Sequence, residues 1–314
     1  MKWIVSVIAL IAVQFVSASP ALVKRASFND VATVGYASLN GGTTGESGGP
    51  TTTVTTLDAL TAAVAGDDPK IVIVSGTISG DAIVEVGGNT SLLGNILNGI
   101  GLRVVDVSNV IIRNIKIAKV LAPGDYVAVQ ASSQVRLDHL DLSSDRDRDK
   151  DFYDGLLDIT RGPTGVTITN SILHDQWKGS LVGHSDNNGA EDVAITITYA
   201  NNYFSNLYPR TPSFRFGTGH LFNNVFDNNN DGINTRDVHQ LDSSFMSTFL
   251  RLGTNKPLYA TTEGFAVAVG NDLGGAENTA PVGTFTSAPY PYTLVPTDGV
   301  RSAVVGTAGA TISF

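Results

Sequence analysis

The chain has 314 residues, 42% hydrophobic and only 16% charged, which gives enough apolar surface for a sizeable core. With a formal net charge of −9, no cysteine and no basic stripe to neutralise phosphates, the sequence argues against a disulfide scaffold and against a nucleic-acid partner. Its 33 glycines, set among recurrent Val, Ile, Thr, Ser and Asn, favour strands and turns, so an all-β chain is expected.

At the N-terminus, Lys2 precedes an apolar run from Trp3 to Val16 broken only by Ser6 and Gln14, and Val16-Ser17-Ala18 offers small residues to a signal peptidase. Residues 1–18 are therefore expected to be a secretory leader. The run falls short of the roughly 20 residues of a spanning helix and no comparable run occurs later in the chain, so no membrane contact is expected. Lys24-Arg25 before Ala26 looks like a dibasic processing site, making 19–25 a short propeptide and 26–314 a single secreted, extracellular domain, expected to be monomeric. Removing Lys2, Lys24 and Arg25, with no acid among residues 1–25, takes the formal charge from −9 to −12. Asn89-Thr90-Ser91 is the one glycosylation sequon.

Thr56 to Val64 (TLDALTAAV) carries Leu57, Leu60 and Val64 at helical spacing after threonines able to cap, and predicts a short helix covering the open end of a coil. Downstream of it, five segments repeat one unit: SNVIIRNIKI (Ser108 to Ile117), SQVRLDHLDL (Ser133 to Leu142), TGVTITNSIL (Thr164 to Leu173), VAITITYANNYF (Val193 to Phe204) and GHLFNNVF (Gly219 to Phe226). Taking Asn114, His139, Asn170, Asn202 and Asn224 as equivalent, the intervals are 25, 31, 32 and 22 residues, the period of a solenoid. The units are β-branched with period two, which favours a parallel β-helix over helical repeats, with a β-sandwich as the alternative. Asn suits the bends because it tolerates left-handed φ and its amide can bond to the next coil. After Phe226 the unit weakens, Ser243 to Gly253 lacks it, and Ala280 to Phe314 reads as a tail lying on the coil.

Within this frame, YDGLLDIT places Asp154 and Asp158 four residues apart. On a straight strand they would share a face about 13 Å apart, too far for one calcium ion with ligands at about 2.3–2.6 Å. Either the chain bends near Gly155 or the two acids do different jobs. Asp125 stands 29 residues before Asp154, about one coil away, and three converging carboxylates call for a hard, oxygen-ligated cation such as calcium. The run DRDRDKD, Asp145 to Asp151, fits a solvated face better than a site. In YPRTPSFRFG, Arg210 and Arg215 are five apart and would face opposite ways on an extended segment unless Pro212 redirects one. Lys178 lies one coil earlier, and together the three cations suggest recognition of a carboxylate.

The motifs DHLDLSSDRD, YDGLLDIT, HDQWKGSLVGHSDNNGAED, ITYANNY, RTPSFRFGTGH and DGINTRD resemble the fungal pectate lyases of polysaccharide lyase family 1, from about Val34 to Phe314. The resemblance implies a right-handed parallel β-helix and calcium-dependent β-elimination of α-1,4-linked polygalacturonate, with Asp125, Asp154 and Asp158 as calcium ligands, Arg210 as catalytic arginine, and Lys178 and Arg215 as substrate-binding cations. Pro123 stands where some members of that family carry another acid. Three other readings remain open: a polygalacturonase on the same fold, with paired carboxylates as acid and base; a pectin lyase, where a cation is expected near position 154; and a pectin-binding protein without catalysis.

Overall fold

Short alternating segments separated by bends can bury one face only by stacking on their own repeats, and parallel stacking satisfies their backbone groups from coil to coil. In the computed structural model, which describes residues 25–236 and 256–314, the named strand pairs run parallel and form three ladders side by side. The first aligns Ser108–Arg113, Ser133–Asp138, Thr164–Thr169, Thr196–Ala200 and Thr218–Phe222. The second aligns Lys116–Ala118, Asp141–Ser143, Ile172–Gln176, Tyr203–Leu207 and Val225–Asp227. The third aligns Val127–Gln130, Leu157–Thr160, Ser180–Val182, Ser213–Arg215, Ile233–Arg236 and Leu258–Thr261. The long strands Lys70–Glu85 and Thr90–Val105 bend and serve all three. Crossovers between parallel strands wind right-handed, and the architecture is the expected right-handed parallel β-helix.

Inside the coil, equivalent residues form columns such as Val129, Ile159, Val182 and Phe214, all fully buried. Phe204 and Phe226 stack with ring centroids 4.8 Å apart at 5°, the strand spacing expressed in aromatic rings. The helix Leu57–Val64 lies where its spacing placed it: the Thr56 hydroxyl accepts from the Ala59 amide at 3.3 Å, and Leu60 and Val64 are fully buried.

The bends carry the expected asparagines, with one correction. The register aligns Asn114, His139 and Asn170 with Asn201 and Asn223, not with Asn202 and Asn224. All five have φ between 50° and 58°. Side chains link them along the axis, Asn223 Nδ2 donating to Asn201 Oδ1 at 3.1 Å and Asn201 Nδ2 to Asn170 Oδ1 at 3.4 Å. With two adjacent asparagines in each of the last two coils, sequence spacing alone cannot tell which one takes the left-handed position. The second of each pair forms its own buried ladder. Asn202 Oδ1 accepts from the Ser171 amide at 2.9 Å, and its Nδ2 donates to the Ile168 carbonyl and to Asn224 Oδ1. Asn202→Ala is expected to cost about 2–3 kcal/mol in urea unfolding, because those buried partners lose their bonds with no water to replace them.

Chain ends lie against the first ladder. Asp138, fully buried, takes Arg113 at 2.7 Å and Arg136 at 2.8 Å, and Arg113 also reaches Asp30 at 2.9 Å, which pins the segment after Ala26. The tail returns along the same surface, the Gly309 amide bonding to the Asn170 carbonyl and the Ile312 amide to Asn114 Oδ1. It contains a helix, Thr297–Val304, that the sequence pattern does not announce: Val300 and Val304 pack on Val225, and Arg301 pairs with Asp227 at 2.7 Å. A segment with an internal Gly299 and only two apolar contacts has no helical signature of its own. The leader and the weakened unit at Ser243 to Gly253 fall outside the described residues.

Candidate active site

The three acids and two of the cations meet where the second ladder turns into the third. Asp158 lies between Leu157 and Ile159, which enter the core, so period two turns it to the outer side of the third ladder. Asp154 precedes that strand and is not on it. The straight-strand separation therefore does not apply to the two acids, since the chain bends at Leu156 before the strand of Asp158 begins. One ladder step earlier, the Tyr126 amide bonds to the Gly155 carbonyl at 3.0 Å, which seats Asp125 beside that bend. A Cβ at Gly155 would lie 2.5 Å from Asp158 Oδ1 and 3.2 Å from Asp125 Oδ1. Only glycine lets both carboxylates approach this backbone.

Their mutual field is strong. Burial, and then the charge of Asp154, push Asp125 up to about 7. Burial, and then Asp125, hold Asp158 well above the ordinary carboxylate range, and Arg210 and Lys178 offset only part of this in both. Asp158 Oδ1 is buried with no hydrogen-bond partner. Asp154 Oδ1 accepts from Lys178 at 3.0 Å and from the Gly155 amide at 3.0 Å. Among the described residues no three acidic or histidine side chains close on one point tightly enough to hold a metal as they stand. Asp154 instead turns one oxygen to Lys178, while Asp125 and Asp158 face each other across Gly155. An unpartnered buried carboxylate oxygen, a second carboxylate across a glycine and a third at the bend form an all-oxygen donor set that suits a hard divalent cation.

Lys178 sits one coil beyond Gly155, its carbonyl accepting from the Leu156 amide. It also bonds to Asp151 at 2.9 Å. Burial disfavours its charge, but the bonds to Asp151 and Asp154 outweigh that and raise its pKa. Asp151 belongs to DRDRDKD, so this run is only partly the solvated face its alternation suggests; its last acid holds a site cation. Arg210 comes from the next coil, its carbonyl accepting from the Ser180 amide at 2.6 Å, and its φ of 69° turns it off the extended path. That turn resolves the facing problem of Arg210 and Arg215, since both line one cavity of about 190 Å³. Arg215 bonds to Asp186 at 2.5 Å and to the Gly183 carbonyl at 2.9 Å.

The same cavity contains Arg236, which is not among the cations that sequence spacing singles out. Arg215 and Arg236 are paired across adjacent strands, and Arg236 approaches Asp186 at 3.5 Å. A signal for it exists: SFR and NTR are consecutive rungs ending in arginine, 21 residues apart. It is masked because the repeat unit spans the first ladder and the start of the second, whereas Arg236 lies on the third.

The family model for pectate lyase matches residues 3–245. The chain is 52% identical to pectate lyase A of Aspergillus niger over all of its own length and 99% of that protein. It is 53% identical to pectate lyase A of Emericella nidulans over 93% of this chain and 90% of that one. Among solved structures it is similar to a pectate lyase from Bacillus sp. N165 in complex with trigalacturonate, with 28% identity, a TM-score of 0.68, and coverage of 88% of this chain and 98% of that one. The thermostable pectate lyase PL 47 shares the fold at a TM-score of 0.73 and 20% identity, over 91% of this chain and 99% of that one.

Proposed function

The chain belongs to the pectate lyase family and is a polysaccharide lyase, and from that premise we propose that it cleaves polygalacturonate by calcium-dependent β-elimination outside the cell. The observation that carries the reading is the arrival of Asp125, the Asp154-Asp158 bend, Lys178 and Arg210 from four successive coils at one turn of the helix.

Asp125, Asp154 and Asp158 would hold the cation. Calcium bound there supplies positive charge to a galacturonate carboxylate, which acidifies the C5 hydrogen and stabilises the developing enolate. Lys178 and Arg215 orient that carboxylate by charge-assisted hydrogen bonds. Arg210 in its neutral, deprotonated form, which the alkaline conditions of the reaction favour, accepts the C5 proton and becomes a guanidinium, while the C4–O bond breaks, a C4–C5 double bond forms and the leaving oxygen is protonated from solvent. Arg236, one rung beyond Arg215, extends the row of cations along the polymer. The acidic net charge of the chain fits this arrangement, because carboxylates in the cleft would repel a polyanion unless a cation neutralised them. Leader residues 1–18, the dibasic site at Lys24-Arg25 and a monomeric mature chain 26–314 complete the reading.

The test is ultraviolet absorbance of the unsaturated uronate on polygalacturonate at alkaline pH. A rise with calcium that chelator abolishes is expected. A rise unaffected by chelator would remove the metal from the mechanism, and reducing-sugar release without any rise would assign hydrolysis instead.

A further inference from the structure

Where the third ladder turns into the first, four successive coils frame a hollow of about 670 Å³ that the reaction does not use. It lies at the opposite edge of the third ladder from the bend at Leu156. The register makes Asp106, Ala131 and Arg161 equivalent, and all three hold left-handed φ, at 55°, 48° and 67°. Asparagine tolerates that conformation, whereas alanine and arginine adopt it against the sterics of Cβ. Ala131 keeps the middle of the row short. Asp106 and Arg161 therefore face each other across two coil steps, about 9.6 Å of backbone separation. The turn that carries Arg161 is fixed, since the Gly162 amide donates at 2.9 Å to Oδ1 of Asp192, a fully buried carboxylate. Arg161 itself is exposed, and neither its guanidinium nor the Asp106 carboxylate has an ion pair or a side-chain hydrogen bond among the described residues. Asp67 stands on the Asp106 side, its Oδ1 accepting from the Gly88 amide at 2.7 Å. Asn89 borders the hollow with its amide already engaged, Nδ2 donating to the Asp67 carbonyl at 3.1 Å and Oδ1 accepting from Asn109 at 3.0 Å.

The lining thus sets one cation against two carboxylates, with serine and threonine between them and no aromatic ring. A ligand that satisfies it brings a negative charge to Arg161 and hydroxyl donors to Asp67 and Asp106. A neutral sugar leaves the guanidinium unused, and a densely phosphorylated or sulfated polymer sets its charge against the two acids. A uronate answers both ends, because its carboxylate and its vicinal hydroxyls lie on opposite sides of the ring. The groove also has room for more than one sugar: through the shared Ser133 and Thr164 it continues past Gln134 and Asn40 into a second hollow of about 580 Å³. We propose that this groove is a second, non-catalytic binding site for galacturonate units, which holds one stretch of the polymer at the far edge of the third ladder while another stretch passes Asp158 and Arg210. It needs no metal, since a single guanidinium offsets the carboxylate by a charge-assisted, bidentate bond. Only the identity of the polymer is taken from the lyase reading above.

Two measurements test this. The chain has no cysteine, so Thr164→Cys places a single thiol-linked fluorophore in the groove. In the full chain, produced in a bacterial host so that no glycan at Asn89 enters the groove, and with chelator present, trigalacturonate is expected to change that emission. Adding Arg161→Gln should raise the half-saturating concentration about tenfold, the loss of one charge-assisted bond. Neutral galactotriose and inorganic phosphate should each need at least about tenfold more than trigalacturonate. The second measurement carries no label. Arg161→Gln leaves the bond between Gly162 and Asp192 in place, and its kcat/KM on trigalacturonate is expected to stay within about twofold of the unsubstituted chain, while its KM on long polygalacturonate rises about threefold at unchanged kcat, because a second anchor raises the local concentration only of a chain that reaches both sites. No change of emission, a change that Arg161→Gln leaves alone, or an equal response to galactotriose or phosphate would overturn the galacturonate site, and an unaltered KM on the polymer would overturn its part in holding the chain. Absence of elimination by the unsubstituted chain would fall on the lyase reading, while the fluorescence titration still decides the groove.

Discussion

Replacing Arg210 with lysine is expected to lower turnover of polygalacturonate by about 10²–10⁴-fold, the usual contribution of a positioned general base, with the coil intact. Lysine keeps a basic nitrogen but shortens the reach and loses the planar fork. The backbone role of the residue survives, since its carbonyl still accepts from the Ser180 amide. Substrate affinity should change far less than kcat, because Lys178, Arg215 and Arg236 remain to hold carboxylates. Steady-state kinetics by ultraviolet absorbance, with circular dichroism to follow the fold, make the comparison. A protein that kept its rate would show that Arg210 does not take the C5 proton. One that bound pectin unchanged and had no rate even before substitution would be a binding protein on a lyase scaffold.

In chelator, the thermal midpoint is expected to fall as pH rises from about 4 to about 7, and added calcium to restore it. Both Asp125 and Asp158 bind their protons more tightly in the folded chain than in the unfolded one, where an aspartate titrates near 3.9. Stability from holding those protons is complete below that value and is lost as pH climbs through the folded values, about 7 for Asp125. Asp158→Asn removes one member of the repelling pair. It should flatten this fall and raise the chelated midpoint at neutral pH by a few degrees, at about 2–4 °C per kcal/mol in chains of this size class, while weakening calcium binding by more than about tenfold in calorimetry. The opposite signs separate a ligand from a merely structural acid. Asp158→Asn with unaltered calcium affinity would remove Asp158 from the metal site.

The helix Leu57–Val64 and the coil are legible because they are written in local periodicity. Alternation over Ser108–Arg113 and its repeats fixes an inside and an outside before any partner is known. The site is legible only in part. Asp154 and Asp158 stand out as acids in an apolar run, and Arg210, Arg215 and Lys178 as cations on neighbouring coils. Arg236 does not, because it becomes a neighbour of Arg215 only through a ladder register that the first-ladder repeats do not reveal. The groove at Arg161 is hidden for a related reason. Asp106 and Arg161 are 55 residues apart and ordinary in their own segments, and only stacking of their coils sets them on one hollow.

The choice between Asn201 and Asn202 at the bend shows where the division falls. By itself the sequence determined a solenoid of β-branched, period-two coils with asparagine at the bends, and the residue types of a site suited to a divalent cation and a carboxylate. Tertiary structure alone decided which asparagine takes the left-handed position, how Gly155 lets Asp125 and Asp158 face each other, and which cations share a cavity. The physical reason is the range of the interactions. Periodicity and side-chain chemistry act within one coil, whereas register, burial and charge coupling arise only between coils, where variable loop lengths conceal the count.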